Sequence, residues 1–198
     1  MGRHPQGRVF YRKMGHDYPV IVRGEGAYLY DAEGRRYLDA SGGPLVVNVG
    51  HGVESIARAI AEQAARVAYV HGTVFTTAAL ETYSERLASK IPLPDPRFYY
   101  LSSGSEAVET ALKFARQVQL ARGEGQRDRI ISRWGSYHGL TLGTLAVSGK
   151  PAMRSHYAPM FRDMPHIAPP YCYRCPFGST YPACELACAH QLETLSLI

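Results

Sequence analysis

Apolar residues recur at Val53, Ile56, Ala57, Ile60, Ala64 and Val67, directly after the break at His51-Gly52, and that spacing marks one face of a helix. The same period predicts a second helix from about Ala78 to Lys90, with Leu80, Tyr83 and Leu87 on one side and Pro92, Pro94 and Pro96 to end it. A third opens at Gly104, presents Val108, Ala111, Leu112, Ala115 and Val118, and stops at Gly123. Between residues 27 and 39 the period shortens to two, which predicts a hairpin turning at Asp31-Ala32-Glu33-Gly34. The runs Phe98-Tyr99-Tyr100-Leu101 and Arg129-Ile130-Ile131-Ser132-Arg133 predict strands. The arm up to about residue 26 is polar and irregular, and Gln191 to Ile198 reads as a helix cut short, without a cap, Gly or Pro to close it.

Strand-then-helix units predict an α/β architecture with a parallel sheet, and such a sheet is covered on both faces and needs all its strands to close a core. The chain divides into an arm and hairpin over 1–50, an incomplete large domain over 51–170 and a Cys-rich loop with a truncated helix over 171–198. At 198 residues and 45% hydrophobic content it has the material for one core. Left incomplete, residues 1–198 are expected to be poorly stable or to aggregate by themselves.

Chemistry enters where the strand pattern 98–101 meets a helix start. Ser102-Ser103-Gly104-Ser105-Glu106-Ala107 follows Leu101, with Ser103 and Glu106 in the S-x-x-E relation of a capping box. Free N–H groups of a first turn and the positive end of the helix dipole favour an anion, Gly104 lets the backbone approach, and the hydroxyls of Ser103 and Ser105 add donors. A plain helix cap is the alternative meaning of the same run. The strand pattern 129–133 leads into Trp134-Gly135-Ser136-Tyr137-His138-Gly139, so two strand ends carry polar loops. In an open α/β sheet ligands sit beyond the carboxyl ends of the strands, and a phosphate cradle beside an aromatic loop suits a flat phosphorylated cofactor.

The ordered series Tyr18-Pro19-Val20-Ile21-Val22-Arg23-Gly24-Glu25-Gly26, the hairpin Tyr28 to Asp39, Ser41-Gly42-Gly43 with Gly50-His51, Ser103-Gly104-Ser105-Glu106-Ala107 and Tyr137-His138-Gly139 resembles the class III aminotransferases. These are fold type I enzymes that use pyridoxal 5′-phosphate (PLP). The resemblance implies the three-layer α/β/α fold with a mostly parallel sheet, preceded by an α+β segment. It implies that Ser103, Gly104 and Ser105 bind the cofactor phosphate, that Tyr137 stacks on the pyridine ring, and that His138 and Gly139 shape the loop. On the substrate side it points to Ser41, Gly42, Gly43, Tyr69, His71 and Phe75, with ordinary packing as the alternative for the aromatic residues. It further implies a small amino donor, a keto-acid acceptor and a homodimer of the full-length protein.

The family's Lys that holds the cofactor and its Asp that pairs with the pyridinium nitrogen are expected beyond Ile198, because Lys13, Lys90, Lys113 and Lys150 match neither position and read as surface lysines. The implied activity is amino-group transfer of the EC 2.6.1 type, with this stretch inactive alone. Aminomutases, decarboxylases and racemases share the same cofactor contacts and remain open, as does a non-catalytic PLP-binding or regulatory role.

A net charge of +5 and a pI near 9.1 raise the question of a nucleic-acid partner, but the arginines are scattered over hairpin, helices and loops rather than gathered in one stripe. No run is apolar enough for a membrane span or signal segment, and the cytoplasm is the default location. All four cysteines fall in one stretch, Cys172, Cys175, Cys184 and Cys188, with His166 and His190 nearby. Two thiol pairs flanked by Pro176, Gly178 and Pro182 offer four tetrahedral zinc ligands, with reduced thiols or disulfides as alternatives. A metal-stabilised interaction protein organised by this loop is the third function class the residues leave open.

Overall fold

The computed structural model describes residues 8–196, which divide at Pro92 into two compact units. In the first unit β1 (Ile21–Glu25), β2 (Tyr28–Asp31) and β3 (Arg36–Leu38) form an antiparallel sheet in that order. The β1–β2 turn passes through Gly26 at φ 56°, a left-handed conformation that glycine adopts without Cβ strain. The next turn lies at the predicted Asp31 to Gly34, with Tyr28 opposite Leu38 and Tyr30 opposite Arg36. β1 corrects the expectation of an irregular arm: its strand state comes from pairing with β2, Glu25 opposite Tyr28 and Gly24 opposite Leu29, rather than from any alternation of its own. The part of the arm before Arg8 lies outside the described residues.

A short irregular turn, α1 (Gly42–Leu45), leads to α2 (Glu54–Arg66) and α3 (Ala78–Ala88). α2 carries Glu54 in its first turn and Arg66 in its last, matching the helix dipole, and α3 is capped by the Thr77 hydroxyl, which accepts from Leu80 N–H at 3.2 Å. Their apolar stripes lie open, with Ile56, Ile60 and Leu80 all exposed.

In the second unit α4 (Gly104–Ala121) begins at Ser103, whose Oγ accepts from Glu106 N–H at 3.2 Å. It ends in a Schellman motif: Gly123 at φ 77° donates to Leu120 O, and Glu124 N–H reaches Gln119 O at 2.9 Å. Parallel strands β4 (Ser132–Arg133) and β5 (His166–Ile167) pair Ser132 with His166. Between them run α5 (Leu142–Val147), α6 (Pro151–Arg154) and a 3₁₀ turn at Ser155–Met160. α7 (Ala187–Ser196) returns to β5, where Gln191 Oε1 accepts from Ala168 N–H at 2.7 Å. The predicted terminal helix is present through Ser196, and residues 197 and 198 lie outside the described residues.

Two strand expectations are corrected. Residues 98–101 are not a strand, and of 129–133 only Ser132–Arg133 is. The reason is non-local: a strand of a parallel sheet exists through neighbours brought from far along the chain, and among the described residues 98–101 has no such ladder. Among the described residues the buried hydrophobic ones are Leu145, Ala146, Val147 and Ile167, so their core lies around α5 and β5. Among the described residues no helix is long and apolar enough to cross a membrane.

Candidate functional site

The phosphate turn and the aromatic loop come together in the second unit. Leu140 N–H donates to Ser105 Oγ at 3.1 Å, which ties the first turn of α4 to the segment 137–140. Gly139 makes that approach possible. It sits at φ 136°, and a Cβ there would lie 2.7 Å from Thr144 Oγ1 and 2.8 Å from Ser105 Oγ. Behind the loop, His138 N–H donates to Ser148 Oγ at 3.1 Å, and Ser148 Oγ donates to Thr144 O at 2.7 Å. Gly135 N–H to Gly149 O at 2.8 Å and Gly149 N–H to Ser136 O at 3.0 Å close its neck.

What the turn offers a ligand follows from its own bonds. Ser103 and Ser105 each use an Oγ lone pair internally, on Glu106 N–H and Leu140 N–H, so both hydroxyl protons are left to donate outward. The first N–H groups of α4 have no intrahelical acceptor. Gly104 has nothing within 4 Å of where a Cβ would stand, so the ground before the turn is open. These donors, with the helix dipole behind them, fit a phosphate. Tyr137 is 50% exposed and presents a ring face, with Lys150 Nζ 5.6 Å from its centroid.

Two residues outside the sequence motifs complete the arrangement. Thr141 caps α5 and donates from Oγ1 to Glu109 Oε2 at 2.6 Å. The Glu109 carboxylate lies over Gly143, where a Cβ would stand 2.5 Å from both of its oxygens. A cap at Thr141 was legible as a Thr before an apolar run, but its partner on another helix was not.

The substrate-side residues belong to the first unit. Ser41 and Gly42 line a cavity of about 470 Å³ with Asp39, Leu45, Asn48 and His51. His51 Nε2 lies 2.9 Å from Asp39 Oδ2, and Gly43 N–H reaches Asp39 Oδ1 at 3.4 Å. The His51 ring, against the opposing effect of burial and helped by the Gly43 N–H, holds the Asp39 carboxyl below the usual carboxylate range. Tyr69 and Phe75 do not line this cavity and stand 78% and 65% exposed. His71 Nδ1 is engaged locally by Thr73 Oγ1 at 2.7 Å.

The zinc reading of the cysteines is corrected. All four are free thiols, Cys172 exposed in a 3₁₀ turn (Cys172–Arg174) and Cys188 on α7. Among the described residues no group of three or more His, Cys, Asp or Glu side chains lies close enough to hold a metal ion. The nearby histidines are otherwise occupied: His166 lies between Met164 O and Ser148 O, and His190 pairs with Glu193 at 3.2 Å. Sequence clustering brought the thiols near each other along the chain without turning them to one point.

A capped helix start set against an aromatic loop in an α/β unit has the donor chemistry of a phosphorylated-cofactor site. Residues 10–198 match the model of the family described as aminotransferase class-III, and the chain belongs to that family. It is 37% identical over 157 residues to YodT of Bacillus subtilis, an uncharacterised aminotransferase, covering 79% of this chain and 35% of that protein. It is 41% identical over 154 residues to the hypotaurine/taurine–pyruvate aminotransferase of Paracoccus denitrificans, covering 76% of this chain and 33% of that one. The chain thus spans about a third of the length of these relatives. Among solved structures, an amine transaminase from an uncultivated Pseudomonas species in its PLP-bound form aligns over 98% of this chain and 44% of its own, at 34% identity and a TM-score of 0.82. An (S)-enantioselective omega-transaminase from Thermomicrobium roseum aligns over 90% of this chain and 40% of its own, at 37% identity and the same score. The α/β fold is therefore that of the fold type I transaminases.

Proposed function

We propose that this chain is the cofactor-binding N-terminal portion of a PLP-dependent aminotransferase that moves an amino group between an amine or amino acid and a keto acid. The observation that carries the reading is the Leu140 N–H to Ser105 Oγ bond, which sets the aromatic loop against the phosphate turn. When bound, PLP supplies an electron sink for bonds at the carbon that bears the amino group. The residues here bind and orient it. The first-turn N–H groups at Gly104 and Ser105 and the hydroxyls of Ser103 and Ser105 donate to the phosphate, Tyr137 packs on the pyridine ring, and His138 and Gly139 hold the loop in shape. Ser41, Gly42, Gly43, Tyr69 and Phe75 serve the substrate side. None of Lys13, Lys90, Lys113 and Lys150 matches the family's cofactor-holding lysine, so residues 1–198 alone are not expected to transaminate. A cytoplasmic homodimer is the assembly in keeping with the family.

The test is a PLP titration of the natural polypeptide and of its Gly104→Glu variant. Open space at this glycine lets the variant fold, while its carboxylate opposes the phosphate. Affinity is expected to fall at least about tenfold, or about 1.4 kcal/mol. Unchanged affinity would place the phosphate elsewhere.

A further inference from the structure

Glu109 lies four residues beyond Ser105, and residues so spaced share one face of a helix. That face of α4 holds the loop 137–144 at two points. At the first, Ser105 Oγ accepts from Leu140 N–H at 3.1 Å. At the second, Glu109 Oε2 accepts from Thr141 Oγ1 at 2.6 Å, a short bond to a charged acceptor and of the stronger kind. Thr141 cannot drift under this bond, because it also starts α5, whose Thr144 N–H points back to its Oγ1 at 3.4 Å. Gly143 has no side chain, and the Glu109 carboxylate occupies the space a Cβ would take, 2.5 Å from both oxygens. Residues 144–149 beyond it are buried, so the C-terminal side of this anchor is rigid.

The bonds of residues 135–138 to Ser148 and Gly149 hold the loop to its own neck and not to α4, so against α4 a single bond would leave it free to pivot about Ser105; a second one a helical turn away removes that freedom. The freedom matters at Tyr137, whose exposed ring lies on the same loop. We propose that Glu109 is a positioning residue: through Thr141 it fixes the Tyr137 ring at the distance and tilt from the Ser103–Ser105 turn that a phosphorylated aromatic ligand needs. The inference rests on the cofactor reading above, but Glu109 itself touches no part of the ligand. Its effect should therefore appear for a ligand with both ring and phosphate, and not for phosphate alone.

The experiment measures dissociation constants of PLP, by absorbance, and of inorganic phosphate, by phosphorus NMR, for the natural polypeptide and its variants. Glu109→Ala, which deletes the bond and leaves the Thr141 cap of α5 in place, is expected to weaken PLP about tenfold and to change phosphate less than about twofold. Glu109→Gln keeps an acceptor for the Thr141 hydroxyl and should stay within about threefold of the natural chain. In a Tyr137→Ala background Glu109→Ala should add no further loss, because the contact it serves is gone. Equal loss of PLP and phosphate affinity, or no loss of either, overturns the inference alone. Failure of the unsubstituted polypeptide to bind PLP overturns the cofactor reading and the inference with it.

Discussion

The two units are held in opposite ways. In the first, every strand pairs with its neighbour across a tight turn, yet Asp31 is the only buried residue among the described residues of that unit. In the second, β4 and β5 pair across an entire crossover, yet Leu145, Ala146, Val147 and Ile167 make a buried centre. Local pairing needs few residues and little core, because the turn brings the partners together at small entropic cost. Parallel pairing works only when intervening chain packs down, and that packing is what buries α5. The candidate site lies in the second kind of region. Its parts, Ser105, Glu109, Gly139 and Thr141, meet because distant segments approach closely, not because they adjoin in sequence.

The largest expected effect breaks the second unit alone. A Cβ at Gly149 would stand 2.6 Å from Trp134 Cα and 2.7 Å from Gly135 N, both backbone atoms that cannot swing aside. Gly149→Ala should cost about 3 kcal/mol or more. Native-state hydrogen exchange should show α5 losing protection while residues 21–38 keep theirs. Equal loss in both units would show that they are not independent.

Asp31→Asn should do the reverse. The carboxylate, 2% exposed, accepts from Tyr37 Oη and Arg35 Nε, each at 2.7 Å, and from the backbone N–H groups of Arg35 at 2.8 Å and Glu33 at 3.1 Å. Burial pushes its pKa up, but the Tyr37 hydroxyl and the Arg35 backbone and guanidinium outweigh it and hold the carboxyl at about 2. The folded value lies below the unfolded one, so this stability is complete above the ordinary carboxylate range and is lost as pH falls from about 4 towards 2. The variant should lower hairpin protection at pH 7 and flatten that acid-side loss. A hairpin equally protected in both proteins would remove Asp31 as its anchor.

The smallest effect sharpens the comparison within the site. Lys150 is exposed, and its Nζ is 5.6 Å from the Tyr137 ring centroid, a contact worth little in water. Lys150→Ala should change PLP affinity less than about threefold in the same titration. A loss as large as that of Gly104→Glu would make Lys150 part of the phosphate site.

What could be read from the chain, and what could not, divides along the same line. α2, α3 and α4 emerged within a residue or two because helix period and caps are local, as the Ser103 and Gly123 ends show. β1 was missed and 98–101 was over-assigned for one reason: a strand is a relation between segments, so Ile21–Glu25 pairs without alternation of its own while Phe98–Leu101 has the composition without the ladder. The cysteine spacing suggested convergence that the turns at Cys172–Arg174 and α7 do not deliver.

The sequence alone determined α2, α3 and α4, the hairpin turn and the donor set at Ser103–Ser105, since a capped helix start with Ser and Gly carries its donors wherever it is placed. Tertiary structure decided that Gly139 must be a glycine, that Ser105 meets Leu140, and that Glu109 reaches across to Thr141. Those facts depend on how closely two distant segments approach, and closeness is set by packing around α5 rather than by any residue's own preference.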